Sequence, residues 1–115
     1  MFIDCINLEI VDLSFFNTPS LERAYSMFMN CSGIKEIRLT NFDFTVTNDL
    51  SIFGLRGGNV YVDLSNAKID YTKVYSNMQD WESVKKIKVK DQGMIDFFKS
   101  YSRENRFFND IEYVF

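Results

Sequence analysis

The feature that most constrains the fold of this chain is an internal repeat with a period of 25 or 26 residues. In one part of the repeat, a large side chain directly precedes a serine, at Tyr25-Ser26, Leu50-Ser51, Tyr75-Ser76 and, one residue late, Tyr101-Ser102. A second part recurs as Val11-Asp12-Leu13, Ile37-Arg38-Leu39, Val62-Asp63-Leu64 and Ile87-Lys88-Val89, and Val114-Phe115 begin a fifth copy. One such unit cannot bury its own apolar side, so the repeat predicts stacked units that share a core.

Each unit contains two periodicities, which together predict its local structure. Alternation of apolar and polar residues predicts a short strand, and the helix-like spacing elsewhere in the unit predicts a turn or short helix. The expected fold is α/β: a solenoid of about four to five repeats that forms a single domain over residues 1–115. A parallel sheet is expected on one face and short helices or turns on the other. Stacking also predicts a core column at Phe28, Phe53 and Met78.

The longest helical candidate runs from Met94 to Phe108. A one-residue insertion near Gly93 shifts the frame of the repeat there. The following strand is expected at Val114-Phe115, beside Ile87-Lys88-Val89.

One stretch also resembles a known family. The segment MFMNCSGIKEIRLTNFDFTVTN is similar to the consensus M-F-x-x-C-S-x-L-x-x-L-x-L-S-N-F-D-T-S-x-V-T of the bacterial BspA-like leucine-rich repeats. The matching residues are Met27, Phe28, Asn30, Cys31, Ser32, Ile34, Ile37, Leu39, Asn41, Phe42, Asp43, Thr45, Val46 and Thr47. The resemblance covers residues 5 to about 92 and is weak in the last unit. It implies a leucine-rich-repeat solenoid that binds other proteins and has no catalytic residues.

Composition argues against several classes of function. The 115 residues include no histidine, which removes Ser-His and Cys-His nucleophile pairs and most zinc sites. The glycine-rich segment from Gly54 to Asn59 lacks the Lys-Ser/Thr of a phosphate-binding loop and is interpreted as a turn. We therefore predict a protein that is not an enzyme and that needs no cofactor or metal.

Charge and hydropathy give expectations about partners and location. A net charge of -3 makes nucleic acid an unlikely partner. No apolar run approaches the ~20 residues that span a bilayer, so no membrane association is expected. The sequence predicts a cytoplasmic protein, in the host cell cytoplasm if it is encoded by a phage. Cys5 and Cys31 fall in one column of the repeat; a disulfide between them is possible, but buried thiols are favoured.

The strand alternation predicts which side chains leave the sheet on its exposed side. These candidate partner-binding residues are Asp12, Glu36, Arg38, Tyr61, Asp63, Lys86, Lys88 and Tyr113. Tyrosine is common where interfaces gain most of their affinity, which favours a binding surface. The alternative is a solvent-facing ladder of charge pairs. Lys85, Lys86, Lys88 and Lys90 form a basic stripe that could meet nucleic acid or an acidic protein. Protection against edge pairing and insolubility is the favoured interpretation.

Two functions from different classes remain open on the sequence. The first is a non-enzymatic protein-binding module, for example a small intracellular inhibitor from a phage or mobile element that acts on a host defence protein. The second is an oligomerising fragment of a larger surface or virion protein. An uncovered C-terminal strand would favour self-association, as a homodimer through Phe107, Phe108, Tyr113 and Phe115.

Overall fold

The structure, a computed structural model, describes residues 7–14, 28, 31, 33–45, 59–72, 79–100 and 107–115. These residues form five strands, a short 3-10 helix and two helices. The strands are β1 (Ile10–Asp12), β2 (Glu36–Arg38), β3 (Val60–Asp63), β4 (Val84–Lys88) and β5 (Glu112–Val114). The 3-10 helix is Gln79–Ser83, and the helices are α1 (Gln92–Lys99) and α2 (Phe107–Asp110).

All five strands belong to one parallel sheet, in which they follow one another in chain order. Each strand therefore pairs with the corresponding strand of the next sequence unit. The register links Ile10 with Glu36, Glu36 with Tyr61, Tyr61 with Lys86, and Lys86 with Glu112. An irregularity between β3 and β4 places Lys85 outside this pairing. The repeat seen in the sequence is thus the spacing of hydrogen-bonded partners in the sheet.

The inner side of the sheet lies on the hydrophobic core. The predicted inward residues are all buried: Val11, Leu13, Ile37, Leu39, Val62, Leu64, Ile87 and Val89. These apolar residues occupy alternate positions because successive side chains in a strand point to opposite faces. Five of the eight are valine or isoleucine, whose β-branched side chains suit a strand. The prediction of the inward-pointing residues is therefore confirmed. The residues that alternate with them in the strands point to the other face of the sheet.

The chain turns sharply where the strands end, and aspartates stabilise several of these turns. The backbone amides of Ser14 and Ser65 each donate to the aspartate two residues earlier, at 3.0 Å. A side-chain acceptor of this kind fixes a turn without using a backbone carbonyl. Thr45 makes the same bond to Asp43, beside a parallel bridge that joins Asp43 to the next unit.

Beyond β4, helix α1 packs against the core. Its N-cap is Asp91, whose carboxylate accepts the backbone amide of Met94 at 2.9 Å. The buried side chains of α1 are Met94, Ile95, Phe97 and Phe98, which follow helical spacing. Phe98 lies in an aromatic cluster with Trp81, Phe97, Phe108 and Tyr113.

Three expectations about the C-terminal unit were wrong. The helix predicted from Met94 to Phe108 begins at Gln92, because Asp91 caps it, and ends at Lys99. The last strand begins at Glu112, before the expected Val114. It pairs Tyr113 with Ile87, so Tyr113 belongs to the inner side rather than to the exposed column of Lys86.

Some expectations concern parts of the chain outside the described residues. These are the thiol of Cys5, the core positions Phe53 and Met78, and the glycine-rich turn over residues 54–58. Phe28 is the described member of the column that contains Phe53 and Met78, and Cys31 is the described counterpart of Cys5. Both Phe28 and Cys31 are buried as expected. The proposed pairing state of the two cysteines stays a prediction.

Candidate protein-binding face

The exposed side of the sheet, called here the outer face, is built from two columns of side chains. The first column contains Ile10, Glu36, Tyr61, Lys86 and Glu112, and the second contains Asp12, Arg38, Asp63, Lys88 and Val114. Parallel sheets usually have both faces covered. Here the side chains of the outer face are exposed or half-exposed among the described residues, so this face is open to a partner.

Arg38 links two acidic side chains of the outer face, Asp12 of β1 and Glu36 of β2. One guanidinium nitrogen lies 2.9 Å from the carboxylate of Glu36, and the other lies 3.3 Å from that of Asp12. The bond to Glu36, followed by that to Asp12, raises the pKa of Arg38. The Ser14 hydroxyl and amide, followed by Arg38, lower the pKa of Asp12. The acidic groups at this end of the face are therefore already held by neighbours within the chain.

Tyr61 occupies the centre of the outer face. The ammonium group of Lys86 lies 5.4 Å from the centroid of the Tyr61 ring, within the range of a cation–π contact. Burial, followed by the charges of Asp63 and Glu36, raises the pKa of Tyr61, so the ring keeps its hydroxyl proton at neutral pH. The site thus presents a half-exposed phenol beside a cation.

Strand β4 contributes two lysines, Lys86 and Lys88, to the outer face. Lys86 forms a loose ion pair with Glu112 of β5, at 3.9 Å. Neither Lys88 nor Lys90 forms an ion pair with any described residue. Asp63 stands beside Lys88 in the register, but its carboxylate accepts the hydroxyl and amide of Ser65.

The structure brings seven of the eight predicted partner-binding residues onto the outer face. Tyr113 is the exception: its ring points toward the core side, and its hydroxyl donates to the carbonyl oxygen of Phe108 at 2.7 Å. Glu112 takes the predicted place of Tyr113 beside Lys86. The signal for this existed in the sequence, because Lys86 and Glu112 are 26 residues apart, the longer of the two repeat spacings.

The predicted self-association residues do not share one surface. Phe108 is completely buried and stacks on Phe98 with a centroid separation of 5.7 Å. Tyr113 is half-buried, and burial raises its pKa. Phe115 is 72% exposed, and the side chain of Phe107 lies outside the described residues. Of the three described residues, only Phe115 presents a large apolar surface to a second copy.

The described part of the chain contains neither a metal-binding cluster nor a membrane-spanning helix. Within it, no three histidine, cysteine, aspartate or glutamate side chains are grouped so that they could hold a metal ion. No helix in the same residues is long and apolar enough to cross a membrane.

Comparison with known proteins gives no relative from which a role could be transferred. No family model, no curated protein and no solved structure matches this chain.

Proposed function

We propose that this chain is a small leucine-rich-repeat-like solenoid, similar to the BspA-like repeats, that binds another protein through the outer face of its sheet without catalysing a reaction. The observation that carries this proposal is the open outer face, where equivalent positions of successive units align in register. Two columns of charged and aromatic side chains on a rigid sheet give a fixed pattern that a partner can match.

The size of the outer face limits what it can hold. Five strands spaced by ~4.8 Å span about 19 Å, and strands of three to five residues are roughly 10 to 17 Å long. The flat area is therefore about 250 Å², well below the ~800 Å² that each partner contributes to a standard interface. The proposed contact is either a short segment of the partner or a larger footprint that includes the turns at the strand ends.

An experiment on the full chain tests the outer face. The variant Arg38→Glu with Tyr61→Ala removes the central cation–π contact and reverses the charge that joins Asp12 and Glu36. The reversal leaves the carboxylates of Asp12 and Glu36 beside a third acid, so circular dichroism must first show that the variant keeps the parent fold. The tagged variant should fail to capture the partner that the parent chain captures from a lysate of the source cells.

The matched control is Lys68→Glu with Asn66→Ala, because both side chains are exposed and lie outside the five strands. This control should capture the partner as the parent does. Equal capture by the outer-face variant and the parent would refute the proposed face. The identity of the protein that the parent chain captures would separately test the narrower proposal of an inhibitor that acts on a host defence protein in the cytoplasm.

A second candidate function is self-assembly through the C-terminal edge. It is favoured by one observation: Phe115 is 72% exposed next to β5, and no described strand pairs with the outer edge of β5. Unpaired edges promote association between chains. Light scattering at increasing concentration should then show a dimer that Phe115→Lys converts to a monomer. A parent chain that stays monomeric would remove this candidate.

A further inference from the structure

One apolar position on the inner side of the sheet is not covered by the core. Just after the strands, the inner side carries a column whose first four members are at most 4% exposed: Leu13, Leu39, Leu64 and Val89. The register places Phe115 fifth in this column, because Lys88 pairs with Val114 and the next residues are Val89 and Phe115. Phe115 is nevertheless 72% exposed. The apolar column therefore reaches the edge of the sheet and ends there in contact with solvent.

The outer edge of β5 also presents backbone groups that no described strand pairs with. The carbonyl oxygen of Val114 accepts the amide of Val89 at 2.8 Å, so the backbone groups of Val114 and Glu112 point toward β4. The N–H and C=O of one trans peptide unit point in opposite directions. The amide and carbonyl of Tyr113, the carbonyl of Ile111 and the amide of Phe115 therefore point away from β4. Donors and acceptors are equal in number along this edge.

An antiparallel second copy of β5 matches these groups one for one. With Tyr113 opposite Tyr113 of the second copy, the two residues exchange both of their backbone hydrogen bonds. The amide of Phe115 then donates to the carbonyl of Ile111 of the second copy, at each end of the pair. On the outer side, Glu112 lies opposite Val114 of the second copy, so the two carboxylates do not face each other.

An alternative neighbour for β5 is β1 of a second copy, in parallel. That contact would leave one β1 edge and one β5 edge open at the ends of every assembly. A two-fold contact closes at two copies, and closed dimers are the commonest oligomers. It also gives Phe115 two apolar neighbours on the second copy, Ile111 directly opposite and Tyr113 on the diagonal.

We propose, on the basis of the second candidate function, that two copies of this chain join β5 to β5 in antiparallel orientation, about a two-fold axis that passes between the two Tyr113 residues. The two sheets become one continuous sheet, and Phe115 of each copy is covered by the other. The contact is smaller than a standard interface, so the dimer is weak and needs protein concentrations up to about 1 mM to be observed.

Opposite charges introduced at Val114 test this register by sedimentation equilibrium of the full chain. Val114→Glu places a carboxylate opposite Glu112 at both ends of the pair and should weaken the dimer, whereas Val114→Lys should tighten it. The two dissociation constants should differ by about tenfold. Within one chain Val114 lies beside Lys88, where the two substitutions have the opposite order of effect on folding. A loss of folded protein therefore cannot produce the expected order of dimer affinities.

The matched controls are Asn66→Glu and Asn66→Lys, which make the same changes in net charge at an exposed residue away from β5. Their dissociation constants should differ by less than about twofold, because charges far from the contact are screened.

The contrary outcomes separate this pairing from self-assembly in general. A parent chain that stays monomeric at about 1 mM removes both the second candidate function and the β5 pairing. If the parent forms a dimer but the Val114 variants differ no more than the Asn66 variants do, self-assembly stands and the antiparallel register is wrong. Masses that grow beyond that of a dimer would overturn the two-fold contact in favour of an open-ended one.

Discussion

Truncation of Phe98 is the sharpest test of how the C-terminal unit is held together. The Phe98 ring is completely buried, and four other rings surround it. The centroid distances are 5.2 Å to Trp81, 5.3 Å to Phe97, 5.7 Å to Phe108 and 6.5 Å to Tyr113. These rings come from the 3-10 helix, from α1 and α2, and from β5, so one side chain joins four elements.

The expected magnitude follows from this packing. Replacement of a buried phenylalanine by alanine typically lowers the free energy of unfolding by about 3 to 5 kcal/mol, because apolar contacts are lost and a cavity is left. Well-oriented aromatic pairs add about 0.5 to 1.5 kcal/mol each beyond the area that they bury. Phe98→Ala should therefore lie toward the upper end, at about 4 to 5 kcal/mol. That is a large part of the roughly 5 to 15 kcal/mol expected for a whole domain.

Urea unfolding followed by near-ultraviolet circular dichroism would measure this loss, with Phe115→Ala as the matched control. The same substitution at Phe115, which is 72% exposed, should change the free energy of unfolding by less than about 0.5 kcal/mol. The slope of the transition must stay constant for the comparison to hold. A loss below about 1 kcal/mol for Phe98→Ala, with an unchanged slope, would refute the aromatic cluster as a packed core.

Three further predictions concern single hydrogen-bonding groups. The Thr45 hydroxyl and amide lower the pKa of Asp43 below its ordinary value of 3.8. Ionised Asp43 therefore stabilises the fold above that pH, and this stabilisation is lost as the pH falls through the lowered pKa. Asp43→Asn should flatten the acid side of a plot of melting temperature against pH, and an unchanged slope would contradict this. Asp91→Ala removes the N-cap of α1 and should lower the free energy of unfolding by about 1 kcal/mol in urea, whereas no loss would exclude the cap. Tyr113→Phe removes the bond to the Phe108 carbonyl and should lower the free energy of unfolding by about 1 kcal/mol. Because burial raises the pKa of Tyr113 above its ordinary value of 10.0, the parent chain should lose stability as the pH rises above that value, and the Tyr113→Phe variant should lose less.

The repeat in the sequence determined the sheet almost completely. Its period of 25 or 26 residues became the hydrogen-bonded register between β1, β2, β3 and β4. Strand alternation separated buried Ile37 and Val62 from half-exposed Arg38 and Tyr61. These features can be predicted from the sequence because each strand shows local alternation and recurs at the same spacing as its neighbours. Seven of the eight candidate residues on the outer face followed from that pattern alone.

Only the tertiary structure decided the arrangement of the last unit. Side chains in a strand alternate with a period of two, so a shift of one residue moves every side chain to the opposite face. The sequence allows a spacing of 25 or 26 residues, and the sheet uses 26 between β4 and β5, as it does between β1 and β2. Glu112 therefore lies beside Lys86, and Tyr113, one residue further on, points inward. From the sequence, Phe108 was expected to be one of several apolar residues near an open sheet edge. Its burial depends on Trp81 of the 3-10 helix and Phe98 of α1, which contact it only when these two elements pack against α2.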